Sequence, residues 1–345
     1  MRKYTLYPCV LTLLLLLGCN NPKAREQSAP PKKAAPGKIR VIFDTDANNE
    51  LDDQHALAYL LFNGDTFAVE GITVNATYNG GDIAEQVAEA RRVVELCGMA
   101  GQVPLLAGAN GSFAAIREHT DSARFDGSQG VDFILDRAGK ETGDSLVLLA
   151  VGKLTNVALA LKKDPSLAQR VRVVWLGSNY PEPGEYNQDN DTIAMNYVLN
   201  SPVPFEMVTV RYGKPSGTDA VRADREQINR RMPGKGPKVS APVTGRHGDA
   251  FTTFGDYSVD LFSHIQLHGN PPSRALFDMA AVAIVKKPSW ASARQVPAPV
   301  LVNNKWVERP GNPRKITVWE NFDADKIMAD FYRSMDHYKL PDPVQ

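Results

Sequence analysis

The chain has 345 residues, with 39 basic and 39 acidic side chains, so its formal net charge is zero. That balance argues against a broad electrostatic nucleic-acid surface, which needs a clustered excess of Lys and Arg. A hydrophobic content of 43% is ordinary for a globular body, and the length suits one large domain or two small ones.

Arg2 and Lys3 precede an apolar run from Val10 to Leu17, too short to span a bilayer and built like an export signal. The run ends Leu16-Leu17-Gly18-Cys19, which resembles a bacterial lipobox. In that pattern the peptide is cut before the cysteine, which then carries a lipid. Residues 1–19 are therefore expected to be a lipoprotein signal, with a membrane anchor on Cys19 and the body exported to the periplasmic face of the cell envelope. The alternative is an ordinary signal peptide with an incidental cysteine. Residues 20–37 are rich in Pro, Ala and Lys and read as a disordered tether. Cys9 leaves with the signal, so only Cys97 remains in the body, where it is expected as a packing residue.

From Lys38 to Gln345 no linker interrupts the chain, and a single domain is expected. Ile39 to Phe43 reads as a short strand. It is followed by Asp44, Asp46, Asp52 and Asp53, placed where a helix begins. Carboxylates this crowded repel one another unless a cation or protons offset the charge. Hard cations with oxygen ligands, Ca²⁺ above all, suit such a cluster better than zinc. An EF-hand starting at Asp44 needs glycine sixth and glutamate twelfth, where this chain has Asn49 and His55. A haloacid dehalogenase-type phosphatase expects Thr or Val where Asn48 stands. The bland alternative is that the acids only cap a helix.

Phe67 to Val74 reads as the next strand. Asp82 is placed to cap a helix with Ile83, Val87, Ala90, Val94 and Cys97 on one face. Strands are expected over Val103 to Ala107, Ser145 to Val151, Val171 to Leu176 and within Pro202 to Val210, with a helix from about Leu154 to Leu161. The alternation predicts an α/β fold: an open, largely parallel sheet with helices on both faces and a Rossmann-like core. Asp46, Asn75, Gly152, Asn179 and the Glu185 to Asp191 loop each follow the carboxyl end of a strand, where open α/β sheets hold ligands.

On these residues the chain resembles the inosine–uridine-preferring nucleoside hydrolases. The aspartate block is similar to the family's Asp-x-Asp-x-x-x-Asp-Asp, with two extra residues between Asp46 and Asp52, as in a branch with a longer, asparagine-bearing loop. Gly71 to Asn75, Val151 to Leu159 (VGKLTNVAL) and the series Asn179, Glu185, Asn187, Asp191 resemble further family blocks. So does Asp278 within Leu276 to Val282. The resemblance implies a nucleoside hydrolase-like fold and Ca²⁺ held by Asp46, Asp53, Asp278 and the Val151 carbonyl. It implies ribose bound by Asp52, Asn187, Asn179, Glu185 and, less directly, Asn75, for which Asn79 competes. It also implies cleavage of the N-glycosidic bond, with Asp46 as general base toward a water whose pKa the cation lowers. Where many relatives place a histidine before the last aspartate, this chain has Phe277, which cannot protonate a leaving base. His247, Tyr257, His264 and His268 are alternative donors, and each also reads as an ordinary surface or packing residue. The expected partner is a small nucleoside or riboside, in a chain that can form homo-oligomers. Hydrolysis of another ribosyl compound, or binding without turnover, stands as the alternative.

Overall fold

The first strand shows how the sheet is built. β1 (Ile39–Thr45) has six of its seven residues buried, because it lies between two parallel neighbours with helices above and below. In this computed structural model the described residues are 37–140 and 145–344, with Met1. Apart from Met1, the expected signal with Cys19 and all but the last residue of the tether lie outside them.

Besides β1, the main sheet contains β2 (Phe67–Val74), β3 (Leu105–Ala107), β4 (Leu146–Ala150), β5 (Val171–Ser178) and β6 (Phe205–Thr209). Smaller strands follow: β7 (Arg222–Asp224), β8 (Val243–Thr244), β9 (Ala250–Phe251) and β10 (Ser273–Ala275). Then come β11 (Ser292–Pro297), β12 (Val300–Val302), β13 (Lys305–Val307) and β14 (Lys315–Glu320). The eight-stranded sheet runs β11-β14-β6-β5-β4-β1-β2-β3. Every neighbouring pair is parallel except β11–β14, at one edge. The expected α/β architecture is therefore present. From β1 the chain builds outward to β2 and β3, then resumes on the other side at β4, so the order reverses between β1 and β4. Such a switch point opens a crevice at the carboxyl ends of the strands.

The helices are α1 (Asp52–Leu61), α2 (Ile83–Leu96), α3 (Phe113–Ile116), α4 (Ser128–Ala138), α5 (Thr155–Lys163) and α6 (Tyr186–Asn190). They continue with α7 (Thr192–Asn200), α8 (Arg225–Arg231), α9 (Phe254–Ser263), α10 (Phe277–Lys286) and α11 (Ala324–Asp336). Strand periodicity separates two apolar layers. Val41 and Phe43 face α1, α2, α9, α10 and α11, while Ile42 faces α4, α5 and α7. Asp82 caps α2 through a capping box with Glu85. Cys97 is buried as expected. The third strand is shorter than the sequence suggested, starting at Leu105, because Pro104 has no N–H to donate to a ladder.

Candidate active site

Two helix N-termini meet at the mouth of the crevice. Every residue of α1 is buried, and its first turn carries Asp52 and Asp53. It packs on α10, whose first turn carries Asp278. Carboxylate oxygens of Asp52, Asp53 and Asp278 lie within 4.8 Å of one another. The positive ends of both helices offset part of this negative charge.

The aspartates at the end of β1 have different tasks. Asp44 is saturated: it accepts from Thr73 Oγ1 at 2.7 Å, Asn156 Nδ2 at 2.7 Å and Asn75 Nδ2 at 3.2 Å. It is a buried brace between strands, despite belonging to the same sequence cluster. Asp46 accepts from Thr77 Oγ1 at 2.6 Å and also lines the cavity. Gly152, just after β4, lets the backbone approach it. A Cβ there would lie 2.8 Å from Asp46 Oδ1 and from both Asn75 amide atoms.

The cavity encloses about 530 Å³ and is lined by Asp46, Asp52, Asp53, Val151, Glu185, Asn187 and Asp278, among others. Glu185 caps α6 and accepts from Gln188 N at 2.9 Å. Asn187 Nδ2 donates to the Val151 carbonyl at 2.6 Å, while Asn187 Oδ1 is buried without a partner. An unpaired buried acceptor costs stability and marks a place for a donor or a cation.

Two expected sugar contacts are placed elsewhere. Asn75 is fully buried beneath the site and braces Asp44. Asn179 does not line the cavity, because its amide is spent within loops, donating to Pro183 O and accepting from Tyr212 N, each at 3.1 Å. Its contribution is indirect, since Tyr212 does line the cavity. There Tyr212 meets Phe277 edge-on, with centroids 5.8 Å apart and planes at 84°.

Several wall residues had no local signal in the sequence. Arg222 and Arg274 arrive on neighbouring antiparallel strands, β7 and β10. Arg274 is paired with Glu50, and Arg222 with Asp219 at 2.8 Å. Of the four proposed proton donors only His268 reaches the wall. Tyr257 is buried and donates to Glu89 at 2.6 Å, and His247 and His264 are engaged with Asp260.

A sequence profile described as inosine-uridine preferring nucleoside hydrolase matches residues 41–329. The chain belongs to that family. The inosine-uridine preferring nucleoside hydrolase of Crithidia fasciculata is 23% identical over 293 residues, covering 77% of this chain and 84% of that one. A solved plant nucleoside hydrolase superposes with a TM-score of 0.68 at 16% identity, covering 87% of this chain and 99% of its own. A purine-preferring ribonucleoside hydrolase from Gardnerella vaginalis gives 0.64 at 18%, covering 86% and 98%. These likenesses share the nucleoside hydrolase fold, and family membership makes the chain a nucleoside N-glycosyl hydrolase.

The hydrolase's carboxylates also test whether a cation fits. Burial pushes Asp46 and Asp52 up to about 7, and it holds Asp53 and Asp278 well above the ordinary carboxylate range, with mutual repulsion adding to the effect. With Asp52 and Asp278 this close, the cation-free cluster favours keeping protons on its carboxylates. The all-oxygen donor set, including the Val151 carbonyl, suits a hard divalent cation that replaces such protons.

A stability consequence follows. The folded, cation-free protein keeps protons that the unfolded chain releases near pH 4, because Asp46, Asp52 and Glu185 titrate at about 7, 7 and 8. Stability from these groups is therefore full below about pH 4 and is lost as pH rises toward 8, at about 1.4 kcal/mol per pH unit for each extra proton held. Chelated protein is expected to melt at a lower temperature at pH 8 than at pH 5, with added divalent cation restoring most at pH 8. Differential scanning fluorimetry checks this; a chelated melting temperature that rises over that interval contradicts it.

Proposed function

We propose that this enzyme is a Ca²⁺-dependent hydrolase of ribonucleosides or related ribosides, releasing ribose and free base. The observation that carries the reading is the meeting of Asp52 and Asp53 with Asp278 beside Asp46, across more than 200 residues of sequence. Asp53, Asp278, Asp46 and the Val151 carbonyl would hold the cation. The closeness of Asp52 to Asp53 and Asp278 supports counting it with them as well as with the sugar. When bound, the cation supplies positive charge that keeps the carboxylates ionised and polarises an oxygen placed against it.

The remaining chemistry belongs to the chain. Breaking the N-glycosidic bond builds positive charge on the ribose ring. Buried carboxylates stabilise that charge more than they stabilise a neutral substrate, which is how binding becomes catalysis. Asp46, which lines the cavity beside the carboxylate group and would be kept ionised by the cation, takes a proton from the attacking water. Asn187 Oδ1, unpartnered in the wall, and Glu185 accept hydrogen bonds from ribose hydroxyls. Tyr212 and Phe277 offer an aromatic wall to a planar leaving base.

The test is a panel of nucleosides incubated with Ca²⁺, with other divalent ions and with chelator, following release of free base. Hydrolysis that is lost in chelator and best restored by Ca²⁺ is expected. Equal rates with and without chelator would remove the cation from the reading, and no hydrolysis under any condition would remove the substrate class.

The location is proposed from the Leu16-Leu17-Gly18-Cys19 pattern. Cys19→Ser is expected to move the protein from the membrane fraction to the soluble envelope fraction with its hydrolase activity intact. A variant that remains in membranes in a mature lipidated form would refute the lipid anchor.

A further inference from the structure

A second group of cation-ligating side chains lies outside the catalytic cavity, at the end of α9. His247, in the turn between β8 and β9, places Nδ1 2.7 Å from Asp260 Oδ2. His264, the C-cap of α9, places Nδ1 3.2 Å from Asp260 Oδ1. The two imidazoles stack with centroids 4.0 Å apart and planes inclined by 25°, so both rings edge one carboxylate. One ligand atom from each residue lies within 4.8 Å of the other two. The Asp260 side chain is 7% exposed, against 27% for His247 and 47% for His264. The carboxylate is thus fixed in the protein while the rings leave room for water.

We propose that His247, Asp260 and His264 form a second cation site, one that takes a borderline transition ion of the Zn²⁺ class. Imidazole nitrogens favour such ions over Ca²⁺ and Mg²⁺, whereas the catalytic centre offers oxygen alone. Two histidines and one carboxylate with an open position is a set that zinc accepts. At bond lengths of about 2.0–2.2 Å, tetrahedral ligands sit roughly 3.3 Å apart. The separations of 2.7 and 3.2 Å therefore need to widen by about 0.6 and 0.1 Å. His264 Nδ1 also lies 2.9 Å from the Asp260 carbonyl and 3.0 Å from Ser263 Oγ, contacts that this nitrogen gives up, with its proton, when it ligates the ion. A cation bound there replaces the protons now bridging nitrogen and oxygen.

The site joins parts of the fold that bear on catalysis. Arg246, next to His247, donates from Nη2 to the Asn48 carbonyl at 3.0 Å, inside the loop between Asp46 and Asp52. Its backbone N–H donates to the Tyr257 hydroxyl on α9 at 3.4 Å. An ion shared by the hairpin turn and α9 pins the residue that holds this loop.

Calorimetric titration of tag-free protein with Zn²⁺, under Ca²⁺ saturating the catalytic centre at about pH 8, tests the site. Co²⁺ absorption serves as the spectroscopic check on nitrogen coordination. One equivalent of Zn²⁺ is expected with Ca²⁺ in excess. Asp278→Asn should retain it. The double variant His247→Ala/His264→Ala should weaken it by more than about 100-fold, beyond what loss of an outer neighbour costs. Both histidines are solvent-accessible, and far-UV circular dichroism verifies that the variant is folded. Zn²⁺ bound equally by wild type and double variant, loss of the equivalent in Asp278→Asn, or no uptake in the presence of Ca²⁺ would each overturn the proposal.

Discussion

Asp46→Asn is expected to lower kcat on a ribonucleoside by about 10²–10⁴-fold, the usual worth of a general base. The amide is nearly isosteric and keeps an acceptor for Thr77 Oγ1, which lies 2.6 Å from Asp46 in the wild type. It cannot take a proton from water, so the loss falls on the chemical step. Cation affinity should fall less than in Asp53→Asn or Asp278→Asn, because Asp46 stands outside the tightest carboxylate group of Asp52, Asp53 and Asp278. Steady-state kinetics with a parallel calorimetric cation titration separate the two effects. An Asp46→Asn enzyme within about threefold of wild-type kcat would assign the base to another residue.

The leaving group should produce a gap of similar size. Phe277 and Tyr212 pack edge to face in the wall, and neither phenyl nor a phenol raised above its ordinary range protonates a departing base readily. Activated substrates that leave as stable anions escape this handicap. A nitrophenyl riboside is therefore expected to turn over about 10²–10⁴-fold faster than inosine, the value of missing acid assistance. Equal kcat values would reveal a hidden donor. His268 is the first residue to replace in that event, since it alone of the sequence-proposed donors lines the cavity.

The legibility of this chain depended on how local each signal was. β1, α1 and the end of β4 announce themselves through hydrophobic period and a dense acidic turn, and Asp46, Asp52, Asp53 and Val151, singled out with them, line the cavity. Asp278 sits more than 200 residues away, and only resemblance to a family joined it to the others. Arg222 and Arg274 were invisible because their place is fixed by antiparallel pairing of two three-residue strands, too short to carry a periodic pattern. Asn179 lies off the cavity for a subtler reason. Sequence gives its position at the end of β5 but not the direction of its amide, which two neighbouring loops capture. Asn75 likewise lies at a ligand-bearing strand end, yet it turns inward to hold Asp44.

The union of α1 and α10 carries a consequence for how this protein can change over time. Both helices are buried along most of their length, and both deliver their acidic residues at one end. The spacing between Asp53 and Asp278 is therefore set by apolar side chains that touch neither ion nor sugar. A close-packed interior transmits displacement instead of absorbing it. Substitutions along that seam that leave folding intact would still alter the gap between the carboxylates. Natural selection for ion binding thus reaches deep into the hydrophobic interior, and drift there is limited by chemistry as well as by thermodynamic stability.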